Sequence, residues 1–147
     1  MLDFSTLPRV VAVVGSREFP KLHYVDNAIS RMSLDTIIVS GGARGVDQAA
    51  KEAAKKYKLR YKEYAVEGWE WTILGKRIGH VRNGVIVFYI KATKGHVLVF
   101  ALEENGQLTA GSTNVIEQCK MIECGYTVLN QEGKILWTTH APFVEKK

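Results

Sequence analysis

The chain has 147 residues, enough for a single domain with a substantial core. Its 46% hydrophobic and 24% charged residues are those of an ordinary globular protein. No apolar run approaches the roughly 20 residues needed to span a bilayer, so no membrane partner is expected. The formal charge of +5 suits a phosphorylated ligand or a nucleic acid without requiring either.

The lead-in ends at Pro8, and Arg9 to Val14 read as a continuous apolar strand, the kind buried on both faces of a parallel sheet. Gly15-Ser16-Arg17 ends it, and a helix follows over 21–32 with Val25, Ala28, Ile29 and Met32 inward. Thr36 to Val39 are the next strand. From Val46 the apolar spacing becomes helical, at 46, 49, 50, 53, 54 and 57. Tyr61 to Val66 form a third strand. Lys51, Lys55, Lys56, Lys58, Arg60 and Lys62 read first as the solvated side of this helix and strand, second as a nucleic-acid patch.

Residues 67–90 are mixed: a loop, then a helix from about Ile73 to Ile90, broken near Gly84, with Val85 to Ile90 open to a strand reading. His96 to Ala101 are a fourth strand, Glu103 to Ala110 a polar loop, and Gly111 to Cys124 a helix stopped by Gly125, with Val115, Ile116, Cys119 and Ile122 inward. Tyr126 to Leu129 are a fifth strand and Lys134 to Thr139 an antiparallel edge strand. The expected fold is a three-layer α/β, Rossmann-like doubly wound parallel sheet of order 3-2-1-4-5 with that C-terminal antiparallel edge.

The two cysteines, Cys119 and Cys124, lie five positions apart on the expected helix and should point in different directions, as small buried residues of a reducing compartment. The four histidines show no metal-ligand spacing, so no metal is expected, and no cofactor either. No signal segment opens the chain, and a cytoplasmic location is the default.

Candidate chemistry gathers where strands end. In a doubly wound sheet, ligands bind at the carboxyl ends of the strands. Gly15-Ser16-Arg17, Gly41-Gly42-Ala43-Arg44-Gly45 and Thr109-Ala110-Gly111-Ser112-Thr113 all fall on that edge. A helix beginning after such a turn presents backbone N–H groups and a partial positive charge, a ready anion seat. Glycines at 41, 42 and 45 would let a ligand approach the backbone, or would merely make a tight turn. Arg17 and Arg44 offer forks suited to phosphate. Asp47 is either a capping carboxylate or a ribose-hydroxyl acceptor. Neither a dinucleotide glycine motif nor a Walker A lysine is present.

Val13-Val14-Gly15-Ser16-Arg17, Gly41-Gly42-Ala43-Arg44-Gly45-Val46-Asp47 with Ala50, Trp71 ahead of Gly75, Arg82-Asn83, and Thr109-Ala110-Gly111-Ser112 together resemble the SLOG superfamily. That group joins the Smf/DprA DNA-processing proteins to the LOG phosphoribohydrolases, and the similarity is greatest to its YspA-like branch. The resemblance covers roughly residues 9–130. It implies a nucleotide or nucleotide-derived ligand held by Gly15, Ser16, Arg17, Gly42, Asp47, Arg82, Asn83, Gly111 and Ser112. LOG enzymes carry Pro-Gly-Gly-x-Gly-Thr-x-x-Glu. Here the glutamate position is Val115, with Glu117 nearby, and Glu104-Asn105-Gly106 replace the Pro-Gly-Gly.

The leading expectation is therefore a nucleotide-binding protein. The alternative is an enzyme cleaving the N-glycosidic bond of nucleoside monophosphates, with Arg82 and Glu117 as its carriers. A further alternative is single-stranded nucleic-acid binding, with Trp69, Trp71 and Tyr64 as stacking platforms. Trp137 and the apolar residues of 85–90 suggest a homo-oligomer, most simply a dimer.

Overall fold

The computed structural model describes residues 2–65 and 77–143. The elements run β1 (Val10–Gly15), α1 (His23–Ser30), β2 (Ile37–Ser40), α2 (Val46–Lys56), β3 (Arg60–Glu63), α3 (Arg77–Ala92), β4 (His96–Phe100), β5 (Glu103–Glu104), β6 (Gln107–Leu108), α4 (Ala110–Met121), β7 (Tyr126–Leu129) and β8 (Ile135–Thr138). The main sheet has the order β3-β2-β1-β4-β7-β8. All neighbours in it pair in parallel except β7 with β8. This is the doubly wound α/β order expected from the sequence, with the antiparallel edge strand in place.

Strand alternation divides the core in two. Val11 and Val13 pack with Val25 and Ile29 of α1 and with Val46, Ala50 and Ala53 of α2. Val10, Ala12 and Val14 pack with Ile86, Val87 and Ile90 of α3 and with Val115, Ile116 and Cys119 of α4. Successive side chains leave a strand on opposite faces, so a run such as Val10–Val14 is apolar throughout only because helices cover both faces. Among the described residues no helix is long and apolar enough to cross a membrane.

Val85 to Ile90 belong to α3, so the strand alternative falls. Gly84 does not interrupt the helix. Instead it faces Gln118 of α4, with room for a Cβ 3.6 Å from the amide. The loop expected over 103–110 contains a two-stranded hairpin, β5 with β6, whose turn carries Asn105 and Gly106 at positive φ.

α4 stops three residues short of Cys124. Glu123 takes φ +56°, and the Cys124 N–H then reaches back to the Cys119 carbonyl at 2.9 Å. This αL cap, not Gly125, ends the helix. It leaves Ile122 37% exposed rather than inward. The Cys124 thiol donates to the Gly125 carbonyl at 3.7 Å. Both cysteines are buried and unbridged.

On β8 the register slips between Val128 and Leu129, because Trp137 opposes Val128 while Ile135 opposes Leu129. Leu136 is the extra residue, and it packs toward the α3–α4 side. Trp137 stays 58% exposed. On α3, Val81, Val85 and Phe88 form an exposed stripe at helical spacing.

Candidate functional site

A cleft of about 630 Å³ opens at the carboxyl ends of the central strands, within the range usual for small-ligand sites. Four segments meet there. The turn after β1 supplies Gly15, Ser16, Arg17 and Glu18. The β2–α2 connection supplies Ala43, Arg44 and Asp47. The beginning of α3 supplies Gly79, His80, Arg82 and Asn83. The start of α4 supplies Thr109 to Ser112. Val14, Val99 and Val115 add apolar wall. The cleft exists because β1 and β4, side by side, send their chains to opposite faces of the sheet.

The glycines of the β2–α2 connection are closely packed. The position of a Cβ on Gly41 is filled by the Arg82 guanidinium, 2.7 Å away. On Gly42 that position is filled by the Glu63 carboxyl, and on Gly45 by the Arg17 backbone at 2.6 Å. Gly42 and Gly45 also have φ near +74° and +80°, where side chains are strained. At all three positions the missing Cβ lets the chain pack against itself. Gly41, Gly42, Gly45 and Thr113 are not in the wall of the cleft.

Asp47 shows what the loop binds. It is 2% exposed, and its Oδ2 accepts from the Ala43 N–H at 3.2 Å. The helix start at Gly45 carries no side-chain cap, so Asp47 braces its own loop instead of capping the helix. Burial raises its acid to about 6, against the opposing pull of Arg82, of the loop amides and of Arg17. The loop already holds an internal carboxylate, and an external anion there would have to displace it.

Arg82 anchors a second brace. Its guanidinium donates to the Gly41 carbonyl at 3.4 Å and to Asn83 Oδ1 at 3.2 Å, and Asn83 Nδ2 donates to Asn114 Oδ1 at 3.0 Å. The chain ties the glycine loop to α3 and α4. Its Nε is buried with no hydrogen-bond partner among the described residues. The Ser16 N–H is taken by the Phe100 carbonyl at 3.1 Å, and the Ser16 hydroxyl accepts from the Glu18 N–H at 3.1 Å. Arg44 and Glu18 pair at 3.4 Å on the surface, a contact of little energetic weight.

The start of α4 is different. Thr109 places no side chain over the first turn, so the N–H groups of Ala110, Gly111 and Ser112 precede the first intrahelical acceptors. A Cβ on Gly111 would meet nothing within 4 Å. Ser112 is 3% exposed, and its hydroxyl has no partner among the described residues. A buried hydroxyl without a partner costs about 1–3 kcal/mol.

Of the residues singled out from sequence, the cleft brings together Gly15, Ser16, Arg17, Arg44, Asp47, Arg82, Asn83, Thr109, Gly111 and Ser112. Glu117 is exposed on α4, outside the cleft wall, so the carboxylates in that wall are Glu18 and Asp47. Trp69 and Trp71 lie outside the described residues. His80, in the cleft wall, and Asn114, bonded to Asn83, carry no motif; only their place on α3 and α4, one turn from named residues, could have drawn notice. Among the described residues no group of three or more His, Cys, Asp or Glu is placed to hold a metal ion.

Residues 2–68 match the family model described as DNA recombination-mediator protein A. The fold is similar to that in the X-ray structure of DNA processing protein A (DprA) from Streptococcus pneumoniae, with a TM-score of 0.62 and 22% sequence identity. The match covers 88% of this chain and 52% of that one, so the chain spans about half the length of the solved protein. No curated protein sequence matches the chain.

Proposed function

We propose that this chain binds the phosphate of a nucleotide in the cleft, at the first turn of α4 rather than at the glycine loop. The observation that carries this reading is the buried, partnerless Ser112 hydroxyl beneath an uncapped helix start. A phosphate oxygen seated there would accept from Ser112 Oγ and from first-turn N–H groups, favoured by the helix dipole. Arg17 and Arg82 would supply countercharge, and Asn83 would read the sugar or base. The motif set also supports grouping the chain with the YspA-like branch.

Calorimetry with AMP and dTMP tests the reading. Ser112→Ala and Arg17→Ala should each weaken binding about tenfold or more, since a charge-assisted hydrogen bond is worth about 1.5–3 kcal/mol. Absence of binding by the intact chain, or full affinity in both variants, would overturn it.

A second reading, that the phosphate belongs to single-stranded DNA, is supported by the family model matched over residues 2–68, together with the similar fold. Affinity for an oligonucleotide that falls steeply with salt, and exceeds that for a mononucleotide, separates it from the first. Self-association through the Val81, Val85 and Phe88 stripe belongs to the same proposal. Sedimentation as a monomer at high concentration would remove that part.

A further inference from the structure

The basic run at 51–62 splits into two groups. Lys51 pairs with Glu63 at 3.6 Å and Lys56 with Asp26 at 3.4 Å. Among the described residues, Arg60 and Lys62 make no ion pair. Both are exposed on β3, the edge strand of the sheet.

Arg60, Lys62 and Tyr64 alternate along the strand and past its end, so they share one face. Tyr64 remains in strand-like pairing, its N–H donating to the Ser40 carbonyl at 2.9 Å. That face looks toward α3. The Tyr64 ring lies 5.9 Å from the Tyr89 ring, tilted by 57°. Lys62 Nζ stands over both rings, 5.3 Å from one centroid and 4.6 Å from the other. Charged side chains on an edge strand ordinarily serve to discourage strand addition. An ammonium held against two aromatic faces adds something that role does not need.

We infer that Arg60, Lys62, Tyr64 and Tyr89 form a contact for single-stranded nucleic acid outside the cleft. Arg60 meets one phosphate, Lys62 turns from the rings to a second, and the rings it uncovers take bases that a single strand leaves unstacked. The partner must offer both repeated negative charge and flat π faces. An acidic peptide supplies only the first, and a duplex keeps its base faces covered. The surface continues into the cleft: Tyr64 is bonded beside Gly41, and Arg82, over Gly41, lies on the same helix as Tyr89, about 10 Å away along its axis. One strand can therefore touch both places. This inference rests on the nucleic-acid reading above.

Fluorescence anisotropy with a labelled oligothymidylate of about 15 nucleotides tests it on the full chain. The double variant Arg60→Ser/Lys62→Ser should bind at least tenfold more weakly, with a salt slope shallower by about 1.4 for two lost phosphate contacts. Tyr64→Leu should weaken binding and leave that slope unchanged. Both variants should keep wild-type affinity for dTMP in calorimetry, which reports the cleft alone. Wild-type oligonucleotide affinity and slope in the double variant would overturn the edge contact and leave the nucleic-acid reading of the cleft standing. An intact chain that binds dTMP but no oligonucleotide would overturn both.

Discussion

The Arg82 guanidinium stands where a Cβ on Gly41 would be, with Cζ and Nε both 2.7 Å from that point. The encounter is with the far end of a flexible side chain, so the contact can give. Gly15 and Gly45 are different: their Cβ positions lie 2.1 Å from the Phe100 carbonyl oxygen and 2.6 Å from the Arg17 carbonyl oxygen, both backbone.

The three alanine variants should therefore rank clearly in denaturant melts. Gly41→Ala should cost about 1 kcal/mol or less, because Arg82 can swing aside. Gly45→Ala should cost more, about 2–4 kcal/mol, since it adds positive-φ strain to a backbone clash. Gly15→Ala, which would push β1 from β4, should be at least as damaging. Equal costs for all three would contradict this account of why the loop needs glycine.

A second prediction concerns helix ends. α2, α3 and α4 close in the same way. Lys58, Lys94 and Glu123 take φ of +60°, +57° and +56°. The next N–H then reaches back five residues, Leu59 to Ala54 at 2.8 Å, Gly95 to Ile90 at 2.8 Å and Cys124 to Cys119 at 2.9 Å. A side chain in that conformation costs about 1–2 kcal/mol relative to glycine, partly offset by the extra freedom glycine has when unfolded. Lys58→Gly, Lys94→Gly and Glu123→Gly should each raise stability by about 0.5–1 kcal/mol. Chemical denaturation reads this directly, and a loss of stability would refute the cap assignment.

Those caps also explain what the sequence left hidden. Strands were legible because Val10–Val14 and Val97–Phe100 are apolar without a break, and their order followed from alternating elements. The end of α4 was not, because the residue in the left-handed position is Glu123, which carries no glycine signal, while Gly125 draws the eye two residues too far. The hairpin at 103–108 was hidden because two-residue strands have no period. The site shows a similar division. Ser112 and Arg17 were visible as motif residues. The roles of Gly41 and Gly45 were not, since spacing cannot tell a glycine that admits a ligand from one that admits Arg82 or the backbone of Arg17.

Acid stability should show two opposed titrations. Burial raises the Asp47 acid from 3.8 to about 6. The folded chain then holds a proton that the unfolded chain releases, so this contribution is complete below about pH 4 and is lost as pH rises through 6. Burial, aided by His140, lowers the acid of His96 from 6.5 to about 4. Its ring stays neutral beside Thr127, at 2.8 Å, and this contribution is present above pH 6.5 and is lost as pH falls toward 4. Between pH 4 and 6 the slopes oppose, and the wild-type profile should be shallow. Asp47→Asn should expose a stability that falls on acidification, and His96→Gln one that rises. Parallel profiles for both variants and the wild type would refute the pair.

Ser112 separates binding from folding. The hydroxyl is buried without a partner, so removing it removes an uncompensated desolvation cost. Ser112→Ala should leave the melting midpoint unchanged or raise it, with a gain of up to about 1 kcal/mol, while nucleotide affinity falls. Most buried substitutions lower both together, because they loosen the structure that forms the site. A joint loss of stability and binding here would mean that Ser112 supports packing, and that the first turn of α4 is not an anion seat. Higher stability with weaker binding would be the signature of a polar group kept in the core for a ligand.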